Sequence, residues 1–175
     1  MKLKLKEAYM KTAETFAELS HAKRLHVGAI VVKDDRIISI GYNGMPAGWE
    51  NDCEDKIWMT DEEQRSIHPD KINEMYPHYG EQIVGDYIRN GRYSLKTKPE
   101  VLHAETNALA KLAKSTESGA DATMFITHAP CLDCAKLIYQ SGINSVFFRT
   151  AYRSQDGIQF LKASGVRVEQ MEKGS

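Results

Sequence analysis

Two short segments hold residues whose types and spacing can do chemistry: His103-Ala104-Glu105 and Pro130-Cys131-Leu132-Asp133-Cys134. One imidazole and two thiolates make three good zinc donors. A structural zinc site is normally closed by four protein ligands, whereas a catalytic one leaves a position open. Glu105 stands two residues beyond His103, close enough to exchange protons at such a site without being a ligand. A Cys-x-x-Cys pair alone is compatible with a redox motif, a structural metal or chance. The His-x-Glu partner and the proline ahead of Cys131 narrow that choice to a catalytic zinc centre.

The stretch between the two segments must bring them together. Residues 105–114 are rich in Ala and Leu, with Ala104, Ala108, Leu109 and Leu112 at helical spacing. Residues 115–119 read as a loop, and 122–127 (ATMFIT) as a strand bounded by Asp121 and Pro130. Residues 131–140 are again helical, with Gly142 as the C-terminal stop. Each group of ligands therefore opens a helix, where the dipole favours negative charge and thiolates. On a regular helix His103 and Glu105 would diverge by about 200°. Both reach one pocket only if the helix starts there and the metal lies off its end.

The remaining elements form a scaffold around these two. Residues 5–19 predict an amphipathic helix with Leu5, Tyr9, Phe16 and Leu19 on one stripe. Residues 27–32 (VGAIVV) and 36–40 (RIISI) predict a hairpin turning at Asp34-Asp35. The segment Gly41-Tyr42-Asn43-Gly44-Met45-Pro46-Ala47-Gly48 is a loop: an ordinary turn, or a backbone-lined surface for a sugar or phosphate. Residues 144–149 and 165–171 predict two more strands, with a helix over 157–163 between them. Helical crossovers make the last three strands parallel. The expected architecture is α/β: a three-layer α/β/α sandwich on a five-stranded mixed sheet, in a single domain 1–175. Residues 50–100 are an insertion, with short helices expected at 61–66 and 80–89. Its Cys53, together with His68 and His78, matches no metal-ligand spacing, and no second zinc is expected there.

Composition excludes several classes. A formal net charge of −1 over 175 residues advertises no basic surface for a polynucleotide. Three cysteines, two of them in the proposed site, fit a reducing compartment. No apolar run has the length of a membrane span, and MKLKLKEAYM lacks a signal-peptide core. The expectation is a soluble cytoplasmic protein without membrane partners.

The motifs VGAIVV, GYNGMPAG, HAETNA, APCLDCAKLIYQSGI and TAY resemble one family closely. H-x-E…P-C-x-x-C is the signature of zinc deaminases of nucleobases. GYNG followed by proline and glycine, upstream of HAE, is similar to the deoxycytidylate (dCMP) deaminases of the cytidine deaminase superfamily. Phage versions are common among its small members, which would place this chain in a host cytoplasm. The resemblance spans about residues 24–167 and matches poorly over 50–100. It implies a cytidine deaminase-like fold and hydrolysis of dCMP to dUMP and ammonia. His103, Cys131 and Cys134 would hold Zn²⁺. Glu105 would carry protons from water to N3 of the base and then to the leaving amino group.

It further implies that the Ala104 amide meets the base O2 and the Ala129 carbonyl meets the departing amino group. Asn43 would hold the sugar, with Arg24, Tyr152 and Arg153 near the 5′-phosphate. Gly41, Tyr42, Asn43, Gly44, Met45 and Gly48 would form a regulatory nucleotide site, activated by dCTP and inhibited by dTTP, with Mg²⁺ between the phosphates. The assembly would be a homo-oligomer, in many relatives a hexamer. Two readings compete: a polynucleotide deaminase of the tRNA adenosine type, and a zinc-stabilised binding protein without activity.

Overall fold

The structure is a computed structural model that describes residues 1–152 and 154–172. The described chain divides into two compact units: Cys53–Pro99, and the segments on either side of it.

The larger unit is built on a mixed five-stranded sheet. Its strands are β1 (Gly28–Lys33), β2 (Arg36–Tyr42), β6 (Thr123–His128), β7 (Ser145–Thr150) and β8 (Arg167–Gln170), in the order β2-β1-β6-β7-β8. The first two are joined by a two-residue turn in which Asp34 and Asp35 both adopt positive φ, 50° and 56°. Such a turn follows the natural twist of a hairpin. β6, β7 and β8 are parallel, as the helical crossovers require.

Alternate residues of the central strands serve opposite faces. Ile30, Val32, Phe125 and Phe147 pack against Tyr9, Met10 and Ala13 of helix α1 (Leu3–Ala17). Ala29, Val31, Met124, Ile126 and Val146 meet α4 (Ala104–Ala113), α5 (Leu132–Gln140) and α6 (Asp156–Ala163) on the other face. Both faces are therefore covered, giving the expected α/β/α sandwich. It also explains why β1 reads as a continuous apolar run rather than an alternating one.

One ion-paired knot ties the α1 layer to the sheet. Arg149, buried on β7, donates through Nη2 to Glu7 at 3.0 Å and through Nε to Glu14 at 2.9 Å, both on α1. Its Nη1 also donates to the carbonyls of Met171 and Glu172.

Unit Cys53–Pro99 departs from the expectation. It holds β3 (Glu54–Trp58), α2 (Asp61–Ser66), α3 (Pro69–Met75), β4 (His78–Val84) and β5 (Tyr87–Thr97), with a three-stranded sheet ordered β3-β5-β4. The helix at 61–66 is present and opens on a capping box between Thr60 and Glu63. The helix expected at 80–89 is instead a hairpin. Ile83, Val84, Tyr87 and Ile88 sit at a spacing that imitates a helix face. Gly85, with φ 60°, reverses the chain there, and β4 and β5 pair from His78↔Tyr93 to Val84↔Tyr87. β-Branched and aromatic residues around a Gly-Asp turn favour that pairing over a helix.

Removing the Arg149 guanidinium strands two carboxylates beside a buried apolar surface. Arg149→Met is expected to cost about 2 kcal/mol, below the full penalty for a wholly buried pair because Glu7 and Glu14 keep partial access to water. The unfolding midpoint in urea measures it.

Candidate active site

His103 precedes α4 in extended conformation, φ −71° and ψ 154°, as its N-cap, and its side chain makes no capping hydrogen bond. Cys131 holds the same place before α5, with φ −69° and ψ 168°. Two of the three donors are thus the last extended residues before a helix, and Cys134 lies in the first turn of the second helix. This resolves the angular conflict between His103 and Glu105. The histidine lies outside the helix, so the helical rotation does not separate it from Glu105.

The donor atoms converge. His103 Nδ1 lies 3.3 Å from Cys134 Sγ and 3.6 Å from Cys131 Sγ, and all three donor atoms lie within 4.8 Å of one another. Tetrahedral zinc bonds to nitrogen and sulfur would separate the two atoms by about 3.6 Å. The residues therefore fit a zinc ion, with Nδ1 as the ligating nitrogen. Among the described residues this is the group of three or more such side chains able to hold a metal. Cys134 is buried, Cys131 half-buried and His103 exposed, so the site has a sealed rear and an open front.

Electrostatics follow from that placement. Glu105 is 4% exposed, and burial raises its pKa to about 7. Hydrogen bonds from the Cys134 thiol and the His103 ring hold Cys131 well below the usual thiol range. The hydrogen bond to Cys131, with burial, pushes Cys134 upward. A hydrogen bond to Cys131 raises the pKa of His103. A thiol must give up its proton to bind a metal.

Gly41 and Tyr42, expected in a loop, are the last two residues of β2, and together with the loop that follows they fix the start of α4 at three points. Gly41 lies against α4 so closely that a Cβ there would sit 2.2 Å from the Ala104 carbonyl oxygen. The Asn107 Nδ2 donates to the Tyr42 carbonyl at 3.0 Å. Gly44 and Leu102 exchange two backbone hydrogen bonds, 3.1 and 2.9 Å, immediately before His103. A fourth close approach seats the cysteine segment: a Cβ on Gly157 of α6 would lie 2.2 Å from the Pro130 carbonyl oxygen.

The other residues singled out from sequence are placed as follows. Asn43 is buried. Its Oδ1 accepts from the Val27 amide at 2.8 Å and its Nδ2 donates to the Leu25 carbonyl at 2.8 Å, so it ties the segment carrying Arg24 to the loop. Arg24 is exposed. Ala104 is fully buried at the first position of α4. Ala129 is buried with Phe148 and Ile158, and Tyr152 packs against that cluster. Met45 is partly buried and Gly48, with φ 88°, is exposed. Arg153 lies outside the described residues. Of the three doubtful candidates, Cys53 is buried, His68 caps α3, and His78 stacks on Tyr93.

Sequence reasoning gave no role to Thr106, Asn107 or Gly157. The Thr-Asn pair sits directly behind His-x-Glu, where the first turn of a helix points side chains outward to neighbours. Which neighbours they meet depends on chain segments remote in sequence.

Comparison with known proteins places this geometry. Residues 3–150 match the model of the cytidine and deoxycytidylate deaminase zinc-binding region. The chain belongs to that family. It is a hydrolytic deaminase by this membership. The dCMP deaminase of cyanophage S-TIM5, solved in complex with dCMP and dUMP, is 41% identical, with a TM-score of 0.73 over 98% of this chain and 99% of that one. Phage T4 deoxycytidylate deaminase is 33% identical over 156 residues, 84% of this chain and 79% of the relative. The enzyme of Mycobacterium phage D29 is 34% identical over 142 residues, 81% of this chain and 91% of its own length.

A methyl group at position 41 should force α4 outward and pull His103 from the two sulfurs. Gly41→Ala is expected to lower zinc per chain well below that of the wild type, read by elemental analysis. Asn107→Ala, which only leaves the Tyr42 carbonyl unmatched, should keep zinc and lose about 1 kcal/mol of stability.

Proposed function

We propose that this deaminase converts dCMP and water to dUMP and ammonia. The observation that carries the reading is the three-donor cluster with a buried carboxylate beside it. Near-full-length similarity to a dCMP deaminase supports the choice of base and phosphate.

His103 Nδ1, Cys131 and Cys134 hold zinc. Zinc bound there supplies water activation near neutral pH. Glu105 takes a proton from the attacking water and delivers it to N3 of the cytosine. Burial raises the proton affinity of that carboxyl above that of a solvated glutamate, which suits it to accept and return protons. Water oxygen bonds to C4, Glu105 takes the second proton from that oxygen and passes it to the amino group, and the C4–N4 bond breaks to leave the C4 carbonyl of dUMP and ammonia. The Ala104 amide meets the base O2. The Ala129 carbonyl accepts from the amino group. Asn43 holds the sugar by its remaining hydrogen-bonding capacity. Arg24, Tyr152 and Arg153 bind the 5′-phosphate. A single phosphate needs few cations, in keeping with a net charge of −1.

The finer reading adds regulation. A second nucleotide site at Gly41, Tyr42, Asn43, Gly44, Met45 and Gly48 takes dCTP as activator and dTTP as inhibitor, with Mg²⁺ between the phosphates. The backbone bridge of Gly44 to Leu102 supports a loop that acts on the start of α4. The protein works as a homo-oligomer, a hexamer as in many relatives, in the cytoplasm. Among the described residues no helix is long and apolar enough to cross a membrane.

Glu105→Gln should retain zinc and lose dCMP turnover by about 10²–10⁴-fold, followed by ammonia release. Survival of activity would remove the assigned proton carrier. Arg24→Ala should raise KM for dCMP more than for deoxycytidine. Equal effects on both substrates would remove its phosphate role. Preference for a stem-loop RNA over free dCMP in the same assay would favour the polynucleotide reading instead. Turnover curves with and without dCTP or dTTP test the regulatory site.

A further inference from the structure

The two sulfurs of the cluster sit in unequal surroundings. Cys131 is half-buried and reaches solvent. Cys134 is 2% exposed, so water does not solvate its sulfur. Its polar neighbours are the other members of the cluster, the Glu105 carboxylate, which has no proton to give a thiolate, and the Thr106 hydroxyl, with Oγ1 3.6 Å from Cys134 Sγ. Thr106 stands on the first turn of α4, directly after Glu105, and reaches across to α5. A thiolate carries no proton, so once the sulfur binds metal the hydroxyl must be the donor.

We propose that Thr106 is a positioning residue for the zinc centre, its hydroxyl donating to the Cys134 thiolate and orienting that sulfur toward the metal. The inference rests on the zinc reading given above and extends it to a group outside the ligand set. Three physical consequences follow. The hydrogen bond satisfies charge on a sulfur that water does not reach. It holds the Cys134 side chain in one rotamer, so the donor is in place before metal arrives. It also braces α4 to α5, the two helices whose starts supply all three ligands. Partners of metal ligands of this kind typically contribute 10–100-fold in metal affinity. A threonine buried only in part would otherwise turn its hydroxyl to water or back to its own helix.

Two variants separate the hydroxyl from its surroundings. Thr106→Val keeps the branched shape and removes the donor, and Thr106→Ser keeps the donor and removes the methyl. Zinc affinity is measured by competition with a chromophoric chelator, and the sulfur-to-metal charge-transfer band is recorded on Co²⁺-substituted protein. Far-UV circular dichroism reports folding, and Thr106→Ala repeats the deletion without strain should the valine variant unfold.

Thr106→Val is expected to bind zinc at least tenfold more weakly and to shift the band to longer wavelength, because a sulfur freed of its hydrogen bond gives up charge more easily. Thr106→Ser should restore both. Wild-type affinity and an unmoved band in the valine variant would overturn the proposal while leaving the zinc site standing. A serine variant as weak as the valine one would also overturn it, since packing by the methyl would then be responsible. Wild-type protein that holds no zinc at all would remove the underlying reading as well.

Discussion

Three donor atoms from distant parts of the chain must meet within a few ångströms, and the structure is arranged around that requirement. His103 and Cys134 are thirty-one residues apart, yet their donor atoms lie 3.3 Å from each other. The fold solves this with one βα repeat. α4 carries the chain away from His103, and β6 brings it back to Cys131 beyond the carboxyl end of the sheet's central strand. Placing His103 and Cys131 in extended conformation before their helices aims both side chains off the helix ends. The helices then supply dipoles that favour thiolates there. Liganding, charge stabilisation and chain direction are thus one feature of the backbone.

Close packing makes this arrangement tight. Gly41 and Gly157 stand where any side chain would collide with the backbone that carries a ligand. Backbone yields less easily than a flexible side chain, so these contacts set the positions of α4 and the cysteine segment within narrow limits. The buried core on that face, from Ala104 and Ala108 through Ala135 and Ile138, uses small residues where helices approach the sheet. Burial has a second effect at the same place. It raises Glu105 toward neutrality, so the packing that holds the site together also sets the proton affinity of its carboxylate.

The segment from Gly41 to Gly44, the end of β2 and the loop after it, joins three parts of this machinery. Its backbone grips α4 through Asn107 and precedes His103 through Leu102. Its Asn43 side chain grips the Leu25–Val27 segment. Reading such a loop as merely a turn would miss that its hydrogen bonds are spent on neighbours remote in sequence. A ligand that displaced this loop would move the residue preceding a metal ligand, which is the physical content of the proposed regulation.

Residue type and spacing alone determined the candidate metal donors, the neighbouring carboxylate, the order of helices and strands in the larger unit, and the parallel pairing of its last three strands. These are local properties: apolar periodicity, turn residues and the handedness of crossovers leave few alternatives. Tertiary structure decided the rest. The hairpin at residues 78–97 arose because strand pairing outweighed a spacing that imitates a helix. The contacts of Thr106, Asn107, Gly41 and Gly157 appeared only when distant segments came together. A hydrogen-bond partner or a forbidden Cβ is a property of two places in the chain, and a linear sequence states only one of them.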